Sequence, residues 1–153
     1  NMTGTTPAAW NDPVKGSELT LAQISQGADV VYAAAGGTGV GVLQTAADND
    51  ILSIGVDSNQ NYMHPGKVLT SMLKRVDVAV YESMKAGVDL ETGGFQVMGL
   101  AEDGVGYALD EHNADLVSAE MKAAVDAARQ QIIDGELEVA SYYATESCPA
   151  LDF

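Results

Sequence analysis

Ala33-Ala34-Ala35-Gly36-Gly37-Thr38-Gly39-Val40-Gly41 joins a short apolar stretch to a helical one, and that junction is where open parallel sheets bind ligands. Glycine there lets a ligand approach the backbone, and the free N–H groups at a helix start can donate to an anion or a hydroxyl. A tight turn would use the same glycines. Counted from Gly37 as Gly-x-Gly, a dinucleotide fingerprint requires a third glycine where this sequence has Val42. Ile54-Gly55-Val56-Asp57-Ser58-Asn59 occupies the same location one βα unit later. Asp57 can accept two hydrogen bonds from vicinal hydroxyls such as those of a sugar, or it can cap a turn.

Lys74-Arg75 places two of the seven basic residues together at the end of a third apolar stretch. Either side chain can bond ligand oxygens or pair with Asp57. Trp10, the only tryptophan, precedes Asn11-Asp12 in a loop before a helix. Its indole can stack on a planar ring or pack on a neighbouring loop. His64 and His112 fall in polar stretches without metal-ligand spacing or an evident nucleophile between them, which argues against a triad or a zinc site.

Alternating helices and strands must position these residues. Asp12-Pro13 opens a first helix, which carries on through Glu18 to Gln26 and is closed by Gly27. Ala28 to Ala35 reads as a buried strand, Gly39 to Asp48 as a helix and Ile51 to Val56 as a strand, which makes a βαβ unit and hence a parallel sheet. Val68 to Leu73 reads as a strand, Asp77 to Ala86 as a helix and Phe95 to Leu100 as a further strand. Met121, Ala124, Val125, Ala128, Ile132 and Ile133 recur at helical spacing within Ser118 to Asp134, and Gly135 stops that helix. The fold class is therefore α/β, a parallel sheet flanked by helices. Ala144 to Phe153 shows no periodicity and reads as a tail.

With 153 residues, 46% of them hydrophobic, the chain has room for one such domain. No apolar run approaches the roughly 20 residues of a membrane span. Its 22 acidic against 7 basic side chains give a net charge of -15, a field that repels phosphate backbones and argues against a nucleic-acid partner. Cys148 is the only cysteine, so no disulfide forms within the chain. Asn1-Met2-Thr3-Gly4 lacks the basic and apolar regions of a signal peptide.

Four stretches resemble the basic membrane protein family of substrate-binding lipoproteins of the purine nucleoside receptor type. They are Trp10 to Gly16, Gln26 to Gly39, Ile54 to Gln60 and, most specifically, Pro65-Gly66-Lys67-Val68-Leu69-Thr70-Ser71-Met72-Leu73-Lys74-Arg75-Val76-Asp77. The likeness runs from about Trp10 to Tyr143. It implies a type I periplasmic-binding fold of two lobes with ligand held in the cleft between them. It also implies an ABC importer permease as partner, an extracytoplasmic location with a lipid anchor on the full-length protein, no cofactor and no enzymatic activity. Carried over by motif, the ligand-binding residues are Trp10 for stacking on the purine, Asp57 and Lys74 for the ribose hydroxyls, and the backbone at Gly36. Family members often have phenylalanine where Trp10 stands.

Members of that family are about twice as long, so the resemblance implies that the first lobe and the lipidated cysteine lie outside this sequence. Residues 1–67 would then form a second-lobe βαβ segment, 68–93 a crossover normally belonging to the first lobe, 94–143 the return with its C-terminal helix, and 144–153 the tail. A crossover without its native partner favours homo-oligomers, by exposure or swapping. Two other readings use the same residues. A nucleotide-cofactor enzyme domain would use Gly36 to Gly41 with Asp57 as the acid about 20 residues downstream. A sugar-responsive regulator core would require a DNA-binding segment that this sequence does not contain.

Overall fold

The computed structural model describes residues 6–89 and 95–140. It comprises two compact units, Asn1–Ser118 and Ala119–Phe153. In the first, Asp12 and Pro13 start α1 (Pro13–Ser25) earlier than its apolar spacing alone marks. The Asp12 carboxylate accepts the Lys15 N–H at 2.9 Å, satisfying one of the donors a helix start leaves free, and proline costs nothing in the first turn. There follow β1 (Val30–Tyr32), α2 (Thr38–Asp48), β2 (Leu52–Gly55), β3 (Val68–Lys74), α3 (Val76–Ala86) and β4 (Val105–Tyr107).

The strands form one sheet in the order β1-β2-β3-β4. β1, β2 and β3 run parallel, with Val30 opposite Leu52 and Ile54 opposite Thr70. α2 packs on β1 and β2, and α1 packs on α2. The core lies there: Val31, Val42 and Ala46 form a buried cluster lined by Ala28, Ala33 and Ile51. α1 and α2 approach so closely that a Cβ on Gly41 would lie 1.9 Å from the Pro13 carbonyl oxygen, and one on Gly16 2.6 Å from that of Thr38.

The sequence expectations need several corrections. Phe95 to Leu100 is not a strand. The edge of β3 is taken instead by β4, which pairs antiparallel with it, so Phe95 and Val97 have no strand to join and stand exposed. β1 is shorter than Ala28 to Ala35, and of its residues only Val31 is buried. Its other side, with Tyr32 at 55% exposure, is uncovered, whereas parallel sheets usually bury both faces. β3 is not left unpartnered, since β2 and β4 flank it. The uncovered part of that segment is α3, none of whose residues is buried. Residues 90–94 and the tail lie outside the described residues.

In the second unit, α4 (Ala119–Ile133) coincides with the expected amphipathic helix, and Gly135 follows with a positive φ of 75°. Lys122 pairs with Asp126 one turn on. No helix among the described residues is long and apolar enough to cross a membrane.

The contact between α1 and α2 yields a prediction with an unusual sign. Glycine to alanine inside an open helix gains about 1 kcal/mol, but at position 41 the new methyl meets backbone that cannot rotate away. Gly41→Ala is expected to lower stability by roughly 1–3 kcal/mol, read as a lower urea midpoint. An unchanged or raised midpoint would contradict the packing described.

Candidate functional site

Because β1, β2 and β3 are parallel, the segments that follow them emerge at one edge of the sheet. Trp10, Ala34, Gly36, Val56, Asp57, Met72 and Lys74 line one cleft there, of about 430 Å³. The four residues proposed from the sequence, Trp10, Gly36, Asp57 and Lys74, are thus brought together.

Trp10 ends a short 3-10 turn, Pro7–Trp10, and is 56% exposed. The turn sits on the glycines after β1. Gly36 has a positive φ of 54°, and a Cβ there would lie 3.1 Å from the Trp10 carbonyl oxygen and 3.7 Å from ring atom Cε3. Any side chain would be strained and would push against the tryptophan.

Asp57 carries a φ of 67°. The Ser58 N–H reaches back to the Val56 carbonyl at 2.8 Å, closing a three-residue turn of the rare, positive-φ kind. Such a backbone costs on the order of 1–3 kcal/mol and persists only where its surroundings hold it. β3 supplies the hold: the Lys74 N–H donates to the Asp57 carbonyl at 2.9 Å, and Lys74 Nζ lies 3.2 Å from Asp57 Oδ1. The two side chains are more than half exposed, so their pairing adds little stability, typically less than about 1 kcal/mol. Its charges remain available from the cleft.

The two cations of Lys74-Arg75 part company. Lys74 turns to Asp57, whereas the Arg75 guanidinium lies 3.0 Å from Asp77 and 3.2 Å from Asp103. Only Lys74 lines the cleft. An exposed indole, an apolar lining from Ala34, Val56 and Met72, and an adjacent acceptor and donor suit a small molecule with a planar ring at one end and hydroxyls at the other.

Sequence reasoning passed over Ala34, Val56 and Met72, which carry no chemical signature of their own. It also missed a polar network that ties the loop after β2 to β3 and to Asp110. Ser71 Oγ is buried, donates to Asn61 Oδ1 at 2.8 Å and accepts the Gln60 N–H at 2.9 Å. The Asn59 and Asn61 side-chain amides both donate to Asp110 Oδ2, at 2.6 and 3.1 Å. Gln60 Oε1 accepts the Val56 N–H at 2.8 Å, beside Asp57. The run Ser58-Asn59-Gln60-Asn61 directly after a strand was the available signal, since such residues seldom cluster there without satisfying backbone.

This fold is shared with solute-binding proteins. It is similar to an ABC transporter system solute-binding protein from Aeropyrum pernix K1, with a TM-score of 0.72 and 27% identity over 86% of this chain and 45% of that one. The chain belongs to the Bmp family, ABC transporter substrate-binding protein PnrA-like, whose model matches residues 6–142. It is 32% identical to the ABC transporter nucleoside-binding protein BmpA of Lactococcus lactis, over 87% of this chain and 42% of that protein. It is 38% identical to an uncharacterized lipoprotein of Pyrococcus abyssi, over 64% of this chain and 26% of that one. The chain therefore spans less than half the length of these relatives.

The polar network predicts an acid sensitivity. The Asn59 amide first, then the His112 N–H and the Asn61 amide, hold the Asp110 carboxyl below its ordinary value of 3.8, against an opposing effect of burial. A depressed carboxyl stabilises the fold fully above the unfolded value, and that contribution is lost as pH falls through the lowered folded one. Asp110→Asn should therefore be less stable than the parent near neutrality, with the gap closing as pH drops below 3.8. Thermal melts at stepped pH check it, and a gap independent of pH would contradict the assignment.

Proposed function

We propose that this chain is the C-terminal part of a receptor that captures a purine nucleoside for an ABC importer, contributing one side of the cleft between two lobes, with no bond made or broken. The observation that carries the reading is the convergence of Trp10, Gly36, Asp57 and Lys74 on one cleft. In this reading the indole stacks on the purine, Asp57 and Lys74 hold the ribose hydroxyls, and the backbone at Gly36 contributes a polar contact. Membership of a substrate-binding family and the nucleoside-binding relative in Lactococcus lactis support it. The lipoprotein relative in Pyrococcus abyssi supports an extracytoplasmic, lipid-anchored location for the whole protein, facing the importer's permease.

Calorimetric titration with adenosine, guanosine and inosine tests this reading, with a dinucleotide as the competing ligand. Saturable binding of at least one nucleoside is expected. Asp57→Asn, which keeps a residue tolerant of positive φ, should weaken that binding about ten- to a hundredfold with little change in melting temperature. Binding of the dinucleotide alone, or equal nucleoside affinity in the variant, would contradict the reading.

The same reading assigns residues 68–93 to a crossover whose outer side meets another surface. Support comes from α3, where Val80, Tyr81 and Met84 are exposed along one helix. Apolar surface of this kind favours association. Light scattering of the 153-residue chain should give a mass above 15.9 kDa that rises with concentration. A constant monomer mass at high concentration would contradict self-association.

A further inference from the structure

Trp10 is exposed and sits on a short turn that precedes the first helix. An exposed connecting segment would ordinarily sample many positions, and a stacking surface that wanders loses affinity to the entropy of ordering it. The turn that carries Trp10 is nevertheless bolted to the start of α2 at a single side chain. Thr38 is 1% exposed, and its hydroxyl makes two bonds across the gap: it donates to the Ala9 carbonyl at 2.7 Å and accepts the Asp12 N–H at 2.8 Å. Those partners flank Trp10 on either side in sequence. The glycines beneath complete the seat. A Cβ on Gly37 would fall 2.9 Å from Asn11 Oδ1 and 3.3 Å from the Trp10 carbonyl oxygen, as the Gly36 position is closed by Trp10 itself.

We infer that Thr38 is a positioning residue for the cleft, its hydroxyl clamping the Pro7–Asp12 strap so that the Trp10 indole is held ready over the Gly36 turn. The helix could start equally well with other residues, and α2 receives no side-chain cap from Gly37. What a hydroxyl at position 38 supplies is a bond to each of two part-buried backbone groups on the strap, the Ala9 carbonyl and the Asp12 N–H. The inference rests on reading the cleft as a ligand site, but the clamp itself is observable without ligand.

Trp10 is the only tryptophan of the chain, so its fluorescence reports the strap alone. In Thr38→Val, close in shape but without the hydroxyl, the ligand-free anisotropy should fall and acrylamide quenching should rise, at temperatures where the far-ultraviolet circular dichroism matches the parent. Thr38→Ser should restore both signals. Inosine affinity should drop about tenfold in Thr38→Val and recover in Thr38→Ser. Should Thr38→Val not fold, Thr38→Ala removes the same hydroxyl with a smaller side chain, and it too should loosen Trp10. Parental anisotropy and quenching in the substituted proteins would overturn the clamp. Failure of the unsubstituted chain to bind adenosine, guanosine and inosine alike would instead count against the nucleoside reading and would leave the fluorescence result standing.

Discussion

Parallel pairing of β1, β2 and β3 is the constraint on which the cleft depends. Strands that run the same way deliver their C-terminal ends to one edge, so the segments after β1, β2 and β3 meet although Gly36, Asp57 and Lys74 are far apart in sequence. An antiparallel β3 would send Lys74 to the opposite edge. The register also supplies the bond from the Lys74 N–H to the Asp57 carbonyl. That bond holds a backbone conformation which aspartate adopts only at a cost.

A second constraint acts through small residues. Gly16 and Gly41 let α1 and α2 touch backbone to backbone, and this brings the chain before α1 within reach of the start of α2. The Thr38 hydroxyl then spans the remaining gap to Ala9 and Asp12. Packing on one side of the sheet thus fixes the tryptophan that overhangs its edge. Beneath Asp57, the amides of Asn59, Gln60 and Asn61 join the loop after β2 to Ser71 and Asp110. The backbone on either side of Asp57 is thereby tied to β3 and to the loop that follows it.

Much of the parallel part was legible in the sequence because its signals are local. β-branched runs, crossover lengths and the Asp12-Pro13 start each reflect physics within a few residues. Gly36, Asp57 and Lys74 were legible from their placement at strand ends, Trp10 from its loop before a helix, and all four from the family resemblance. What escaped the sequence was decided by partners distant along the chain. Phe95 to Leu100 is apolar enough to read as a strand, but β4 takes the available edge of β3. The chemistry of Lys74 and Arg75 left both open and the family resemblance chose Lys74, while the pairing of Arg75 with Asp103, 28 positions on, had no local signal. Thr38 and Asp110 carry no pattern of their own, and each matters through bonds to residues at least 26 positions away.

On the proposed reading, one sheet edge binds the ligand through both its aromatic and its charged end. Amide and indole chemical-shift mapping with an added nucleoside addresses it most directly. The largest shifts should fall on the Trp10 indole and on the backbone amides of Gly36, Asp57 and Lys74, saturating together with one affinity. Shifts centred on α3 or on the exposed side of β1, with those four signals unmoved, would contradict it.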